Sequence, residues 1–208
     1  GALNVAVGGA CFENSTTATN FVAIGYQCLK NGVNTGSNIV AIGANIHTSN
    51  TLTGSNNIVI GGSSSLSSTS VSNEITLGNS SITALRCAVT SITSISDERD
   101  KSDIKDITYG LAFIDALQPR EFVWNNRAEI KTEIDEDGNE TEVEFYSANK
   151  GKKDFGFIAQ EVKELDNDTL RLVYDENPEK LELSYGKLVP VLVQAIKELK
   201  AEIELLKQ

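Results

Sequence analysis

The sequence predicts two fold classes in one chain. Residues 1–80 read as a β-solenoid, or β-roll, of stacked repeats, and residues 96–208 as an α+β domain ending in a C-terminal helix. Residues 81–95 read as a short stalk between them. Three observations carry this expectation. Charge is segregated: residues 1–95 hold only Glu13, Glu74, Lys30 and Arg86, so the net charge of -11 comes entirely from residues 96–208. A short apolar piece recurs five times in the uncharged part. The last stretch carries a heptad spacing of apolar residues.

The repeats are Val5-Ala6-Val7-Gly8, Val22-Ala23-Ile24-Gly25, Val40-Ala41-Ile42-Gly43, Ile58-Val59-Ile60-Gly61 and Ile75-Thr76-Leu77-Gly78. Their glycines are 17, 18, 18 and 17 residues apart, and Asn20, Asn38, Asn56 and Asn73 each stand five positions before one. The positions one and three before each glycine are β-branched or Leu. This is the period-two pattern of a short strand with one buried face. A unit this small cannot bury its own apolar side, whereas stacked units bury a continuous one. Cys11 and Cys28 lie three residues after a repeat glycine, where Ile46 stands in the next unit. They are expected as stacked small apolar residues and not as metal ligands. Cys87 lies outside that register, and His47, the single histidine, is expected in a loop. One histidine makes no metal site.

In the connector, Ile82, Leu85, Val89 and Ile92 are spaced by 3, 4 and 3. That spacing suits a stalk helix seam, and the Ser, Thr and β-branched content opposes it. Ser96-Asp97-Glu98-Arg99-Asp100-Lys101 then opens the charged part as a capped turn or helix start. On a regular helix, positions five apart lie about 140° apart around the axis. A Ser96–Lys101 pair therefore needs an irregular turn, or a lysine from another subunit.

Farther on, residues 109–117 read as a short amphipathic helix ended by Pro119. Residues 121–124 alternate as a strand. Residues 129–144 read as an acidic, solvated hairpin with Asp137-Gly138 at its centre. Residues 155–158 and 170–174 read as strands, with a helix starting near Gln160. Val189, Leu192, Ile196, Leu199, Ile203 and Leu206 follow spacings of 3, 4, 3, 4 and 3, an a/d seam. Two to three heptads do not hold an isolated coil together, so the seam belongs to a larger assembly or packs on its own domain.

Two resemblances extend this reading. The Asn-x-Val-Ala-Ile-Gly pieces resemble the head repeats of trimeric adhesins and phage tail fibres, over residues 3–79, which implies that three chains associate. A generic polar solenoid without a trimer is the alternative. Ser96-Asp97-x-Arg99-x-Lys101 with Ile104, then Gly156-Phe157-Ile158-Ala159-Gln160-Glu161-Val162, then Tyr185 to Leu199 resemble, in order, the peptidase S74 intramolecular chaperone domain of phage tail fibres, tailspikes and endosialidases. That resemblance implies a chaperone that trimerises the preceding fibre segment and then cuts itself off. It implies a Ser96–Lys101 dyad as the catalytic pair and Ile95–Ser96 as the cleavage site. The partners it implies are further copies of the chain, the upstream fibre segment and a host-surface receptor for the mature fibre. The place it implies is the virion, after assembly in host cytoplasm.

Other classes fit less well. The negative charge disfavours nucleic acid and anionic membranes. There is no apolar run long enough to span a bilayer, and no signal-peptide pattern at the first residues. No cofactor and no metal is expected. A lone histidine and the lack of a Gly-rich phosphate loop argue against an enzyme acting on external substrates. An uncleaved structural or receptor-binding fibre tip stays open, and it differs from the self-cleaving reading in whether Ile95–Ser96 breaks.

Overall fold

The fold is described from a computed structural model, in which residues 1–15, 17–30, 32–47, 51–89, 91–125, 127–134 and 140–207 are described. The chain forms two compact units, one of residues 1–84 with 123–152 and the other of residues 85–122 with 153–208.

The first unit contains the solenoid. Strands β1 (Val5–Val7), β2 (Thr19–Ile24), β3 (Ser37–Ile42), β4 (Asn57–Ile60) and β5 (Ile75–Leu77) form one parallel sheet in sequence order. Register follows the repeat: Val22 pairs with Val5 and Val40, and Ile60 with Ile42 and Leu77. Backbone hydrogen bonds continue the stack through the turns, as from Gly43 N to Ile24 O and from Gly61 N to Ile42 O. The asparagines five positions before the glycines adopt φ values of 60, 56, 60 and 66°. Asn is one of the few side chains that tolerates this left-handed conformation, which explains its recurrence. Asn20 Nδ2 donates to Asn38 Oδ1 (3.0 Å) and Asn56 Nδ2 to Asn73 Oδ1 (2.8 Å), so the corners are laddered as well.

The buried face of this sheet mixes large and small residues. Phe21, Ala23, Ile39, Ala41 and Val59 are buried with Cys28, Leu29, Ile46, Leu52, Leu66 and Val71. The β-branched residues one and three before each glycine point the other way. Val5, Val7, Ile24, Ile42, Ile60, Ile75 and Leu77 are all exposed in the single chain.

Cys11, Cys28 and Ile46 stack: Phe12 N donates to Cys28 O, and Leu29 N to Ile46 O. Burial pushes the Cys28 thiol up to about 12, where the nucleophilic thiolate is scarce. Ser64 Oγ is buried in the coils without a hydrogen-bond partner among the described residues, whereas Asn34 is fully engaged. Asn34, fully buried, accepts from Leu52 N (2.9 Å) and donates to Ser15 Oγ (2.6 Å).

His47 is buried in its turn, and its Nε2 accepts from Leu66 N in the next coil (2.9 Å). Burial lowers its pKa from 6.5 to about 4, and the charge of Glu74 opposes that shift. The folded state therefore favours neutral His47. Its contribution is complete above pH 6.5 and is lost as pH falls from 6.5 toward 4. Stability of the first unit should drop by about 1.4 kcal/mol per pH unit across that window. Urea midpoints between pH 7.5 and 5 will show this slope, and His47→Gln will flatten it. An equal slope in both proteins would assign the acid sensitivity elsewhere.

The described residues of 81–95 form no helix, so the expected stalk helix is not present in the single chain. Ser and Thr offer the backbone competing hydrogen bonds, and β-branched residues lose side-chain freedom in a helix. Ile82, Leu85, Val89, Ile92 and Ile95 are exposed there, so no packing offsets those costs.

The second unit is the α+β part. Helix α1 (Leu111–Ala116) stops at Leu117, two residues before Pro119. Strand β6 (Arg120–Val123) pairs with β9 (Lys153–Gly156). Strands β7 (Glu129–Ile134) and β8 (Glu140–Phe145) form an antiparallel hairpin in the segment between them, within the first unit. The expected turn at Asp137-Gly138 lies outside the described residues. Helix α2 (Ala159–Asp166) leads to the short antiparallel pair β10 (Val173–Tyr174) and β11 (Glu182–Leu183), and α3 (Leu188–Leu206) ends the unit. Its core gathers Phe113, Leu117, Val162, Leu172, Val173 and Val191. Among the described residues no helix is long and apolar enough to cross a membrane.

Candidate functional site

The segment that opens the charged part is built on a single turn. Asp97 is extended (φ -69°, ψ 138°), and its carboxylate accepts from Arg99 N at 2.9 Å, capping a three-residue 3-10 turn at Glu98–Asp100. Lys101 is extended again (φ -127°, ψ 147°). This return to extended backbone is the irregularity that a five-residue spacing requires. It swings Lys101 Nζ to 2.6 Å from Ser96 Oγ and 3.0 Å from Ser96 O within one chain. Both residues are exposed.

Of the three acidic residues between Ser96 and Lys101, Asp97 is the one paired with Arg99. Arg99 Nε and Nη2 donate to the two carboxylate oxygens of Asp97 at 2.9 and 2.7 Å. The guanidinium first, and the Arg99 backbone N–H second, hold the Asp97 carboxyl below its ordinary range. Arg99 is thus engaged with Asp97, and Lys101 is engaged with Ser96.

The later motif residues do structural work away from this pair. Gly156 lies where a Cβ would meet Tyr185 Oη at 2.6 Å, and that hydroxyl accepts from Phe157 N at 3.1 Å. Glu161 takes a two-pronged contact from Arg120, Nε to Oε2 at 3.1 Å and Nη2 to Oε1 at 2.9 Å. Lys187 Nζ donates to Arg171 O at 2.8 Å. The sequence reading did not single out Asp166. It is 2% exposed, and its two oxygens accept from Leu170 N (2.6 Å) and Leu172 N (2.7 Å). It fixes the loop after α2, where Asn167, Asp168 and Arg171 all have positive φ. Three polar residues that close a short helix are an ordinary surface pattern, so nothing in the sequence marks which one turns inward.

Residues 96–171 match the family model of peptidase S74, the chaperone of endosialidase. The match begins on Ser96, includes Lys101 and the Gly156–Val162 motif, and ends at Arg171. The repeats and α3 lie outside the peptidase S74 segment. No curated protein and no solved structure matches the chain. Among the described residues no cluster of three His, Cys, Asp or Glu could hold a metal ion.

Proposed function

We propose that residues 96–208 are an intramolecular chaperone that assembles three copies of a fibre segment and then releases itself by cutting Ile95–Ser96. Ser96 is the nucleophile and Lys101 its base. The observation that carries this reading is the 2.6 Å approach of Lys101 Nζ to Ser96 Oγ inside the peptidase S74 segment.

The chemistry follows from those two groups. A serine hydroxyl attacks only when a base removes its proton. Neutral Lys101 takes the proton from Ser96 Oγ, and the oxygen attacks the Ile95 carbonyl carbon. The Ile95–Ser96 C–N bond breaks, the nitrogen leaves protonated as the Ser96 amine, and Ile95 is held as an ester on Oγ. Water then cleaves the ester, giving a carboxylate at Ile95 and restoring the Ser96 hydroxyl. A lysine acts as a base only in its neutral form, and withdrawal from water favours that form. Ser96 and Lys101 are exposed in the single chain. Assembly that covers them makes cleavage follow trimer formation.

Self-association is supported by the solenoid itself. Its outward stripe of Val, Ile and Leu has no charged residue among its members and repeats with every coil. An apolar surface of that extent marks a binding face, and identical copies supply an identical repeat to cover it. The mature product is a virion-associated fibre able to meet a host-surface receptor.

Intact-mass spectrometry of the purified protein tests this reading. The wild type should yield two fragments, 1–95 and 96–208, and Ser96→Ala should stay whole. A wild type that stays whole, or a Ser96→Ala chain that is still cut, would defeat the cleavage assignment.

A further inference from the structure

Stacking sets two thiols side by side in the first unit. Cys11 and Cys28 occupy the same corner of successive coils, held level by the hydrogen bonds from Gln27 N to Gly9 O (2.9 Å) and from Phe12 N to Cys28 O (2.9 Å). Their flanking residues match as well: Ala10 and Phe12 have φ of 49 and 59°, Gln27 and Leu29 of 51 and 56°. Matched backbones send the two Cβ atoms in the same direction, so the pair is separated by the spacing of neighbouring strands, about 4.8 Å. Residues joined by a disulfide have Cα atoms about 4.4–6.8 Å apart. The thiols are in hydrogen-bonding contact with each other. Each also reaches a carbonyl of the next coil, Cys11 Sγ donating to Ala23 O (3.2 Å) and Cys28 Sγ to Ala41 O (3.5 Å). Ile46 takes the position in the third coil and ends the ladder. Cys11 is half-buried and Cys28 fully buried, so an oxidant meets Cys11 first.

We propose that Cys11 and Cys28 form a redox-modification site, at which a peroxide closes a disulfide that clips the first coil to the second. The Cys11 sulfur attacks one oxygen of hydrogen peroxide and the O–O bond breaks, leaving a sulfenic acid on Cys11 and one water. The Cys28 sulfur then attacks the Cys11 sulfur. The S–O bond breaks, and the hydroxyl leaves as a second water with the Cys28 proton. Two thiols have lost two electrons and two protons, and the peroxide has taken them up. Burial first, and the charge of Cys11 second, raise the Cys28 thiol; oxidation of Cys11 removes the second cause. The Cβ atoms of a disulfide lie about 3.8 Å apart, closer than the coil spacing, so the clip draws the corner together and stays open to reduction. In a stacked array each coil rests on its neighbours, so a covalent link at this corner reinforces the interface on which the end of the stack depends.

Thiol mapping of the full chain tests this. The chain carrying Cys87→Ser is treated with hydrogen peroxide, denatured, alkylated and cut with trypsin. Residues 1–30 fall in one peptide, because Lys30 is the first basic residue. That peptide should be two hydrogens lighter and carry no alkyl group, and dithiothreitol should restore both alkylation sites. The urea midpoint of the first unit should be higher in the treated chain than in the reduced one, and Cys28→Ala should abolish the difference. Dimedone, which traps sulfenic acid, should label Cys11 in Cys28→Ala and leave Cys28 unlabelled in Cys11→Ala. Two alkylated cysteines after treatment, or a Cys11 sulfinic acid beside a free Cys28, overturns the disulfide. An unchanged midpoint overturns the clip, and dimedone on Cys28 overturns the order of attack. Both cysteines precede Ile95, so these readouts do not depend on whether Ile95–Ser96 breaks.

Discussion

Replacement of Lys101 by arginine should stop cleavage at Ile95–Ser96 while leaving the chain folded. Arginine keeps the positive charge, the length and the hydrogen-bond donors, so it can still reach Ser96 Oγ and Ser96 O. It cannot give up its proton in a protein, so it cannot accept one from a serine hydroxyl. Loss of a positioned general base slows a reaction by about 10²–10⁴. Lys101→Arg should therefore fall as far as Lys101→Ala in the first-order rate of fragment appearance, followed by intact mass over time. Circular dichroism should match the wild type, because Lys101 lies outside both hydrophobic cores. A Lys101→Arg chain that cleaves at the wild-type rate would reduce Lys101 to a fixed charge and remove the base from the proposed mechanism.

The elements that were legible in the sequence are those governed by period. Five copies of a strand–glycine unit gave the solenoid and its register, and the 3-4 spacing gave α3. What period two does not contain is which face turns inward. Hydrophobicity favours burying Ile24, Ile42 and Ile60, yet the coil interior takes Ala23, Ala41 and Val59. The self-association proposed above gives that outer apolar stripe its partner. The connector failed for a related reason. A 3-4-3 spacing gives a helix only when something packs on the seam, and the described residues of 81–95 leave Ile92 and Ile95 nearly fully exposed. At the candidate site, the residue types and spacing were legible, but the turn joining them was not. Asp97 makes that turn by capping Arg99 N, and its bond to the Arg99 guanidinium pairs one of the three acids between Ser96 and Lys101. Long-range pairings such as Glu198 with Leu111 N leave no local trace at all.

Close stacking of the coils makes the repeat glycines sensitive positions in the first unit. Gly43→Ala should lower its stability by about 3–5 kcal/mol, the sum of backbone strain and overpacking. Gly43 has φ of 146°, which an alanine adopts only under strain. An added Cβ would stand 2.5 Å from the Gly61 carbonyl oxygen and 2.6 Å from its carbon. Those are backbone atoms of the next coil, fixed by the bond from Gly61 N to Ile42 O, so they cannot move aside as a side chain would. Relief requires parting two coils, and in a stacked array that is the nearest-neighbour interface on which stability rests. Gly62 provides the control from the following turn. Its added Cβ would find its nearest atom at 3.9 Å, so Gly62→Ala should stay within about 0.5 kcal/mol of wild type. Urea unfolding followed by circular dichroism separates the two variants. Equal midpoints for Gly43→Ala and Gly62→Ala would mean that the coils are spaced more loosely than the hydrogen bonds between them allow.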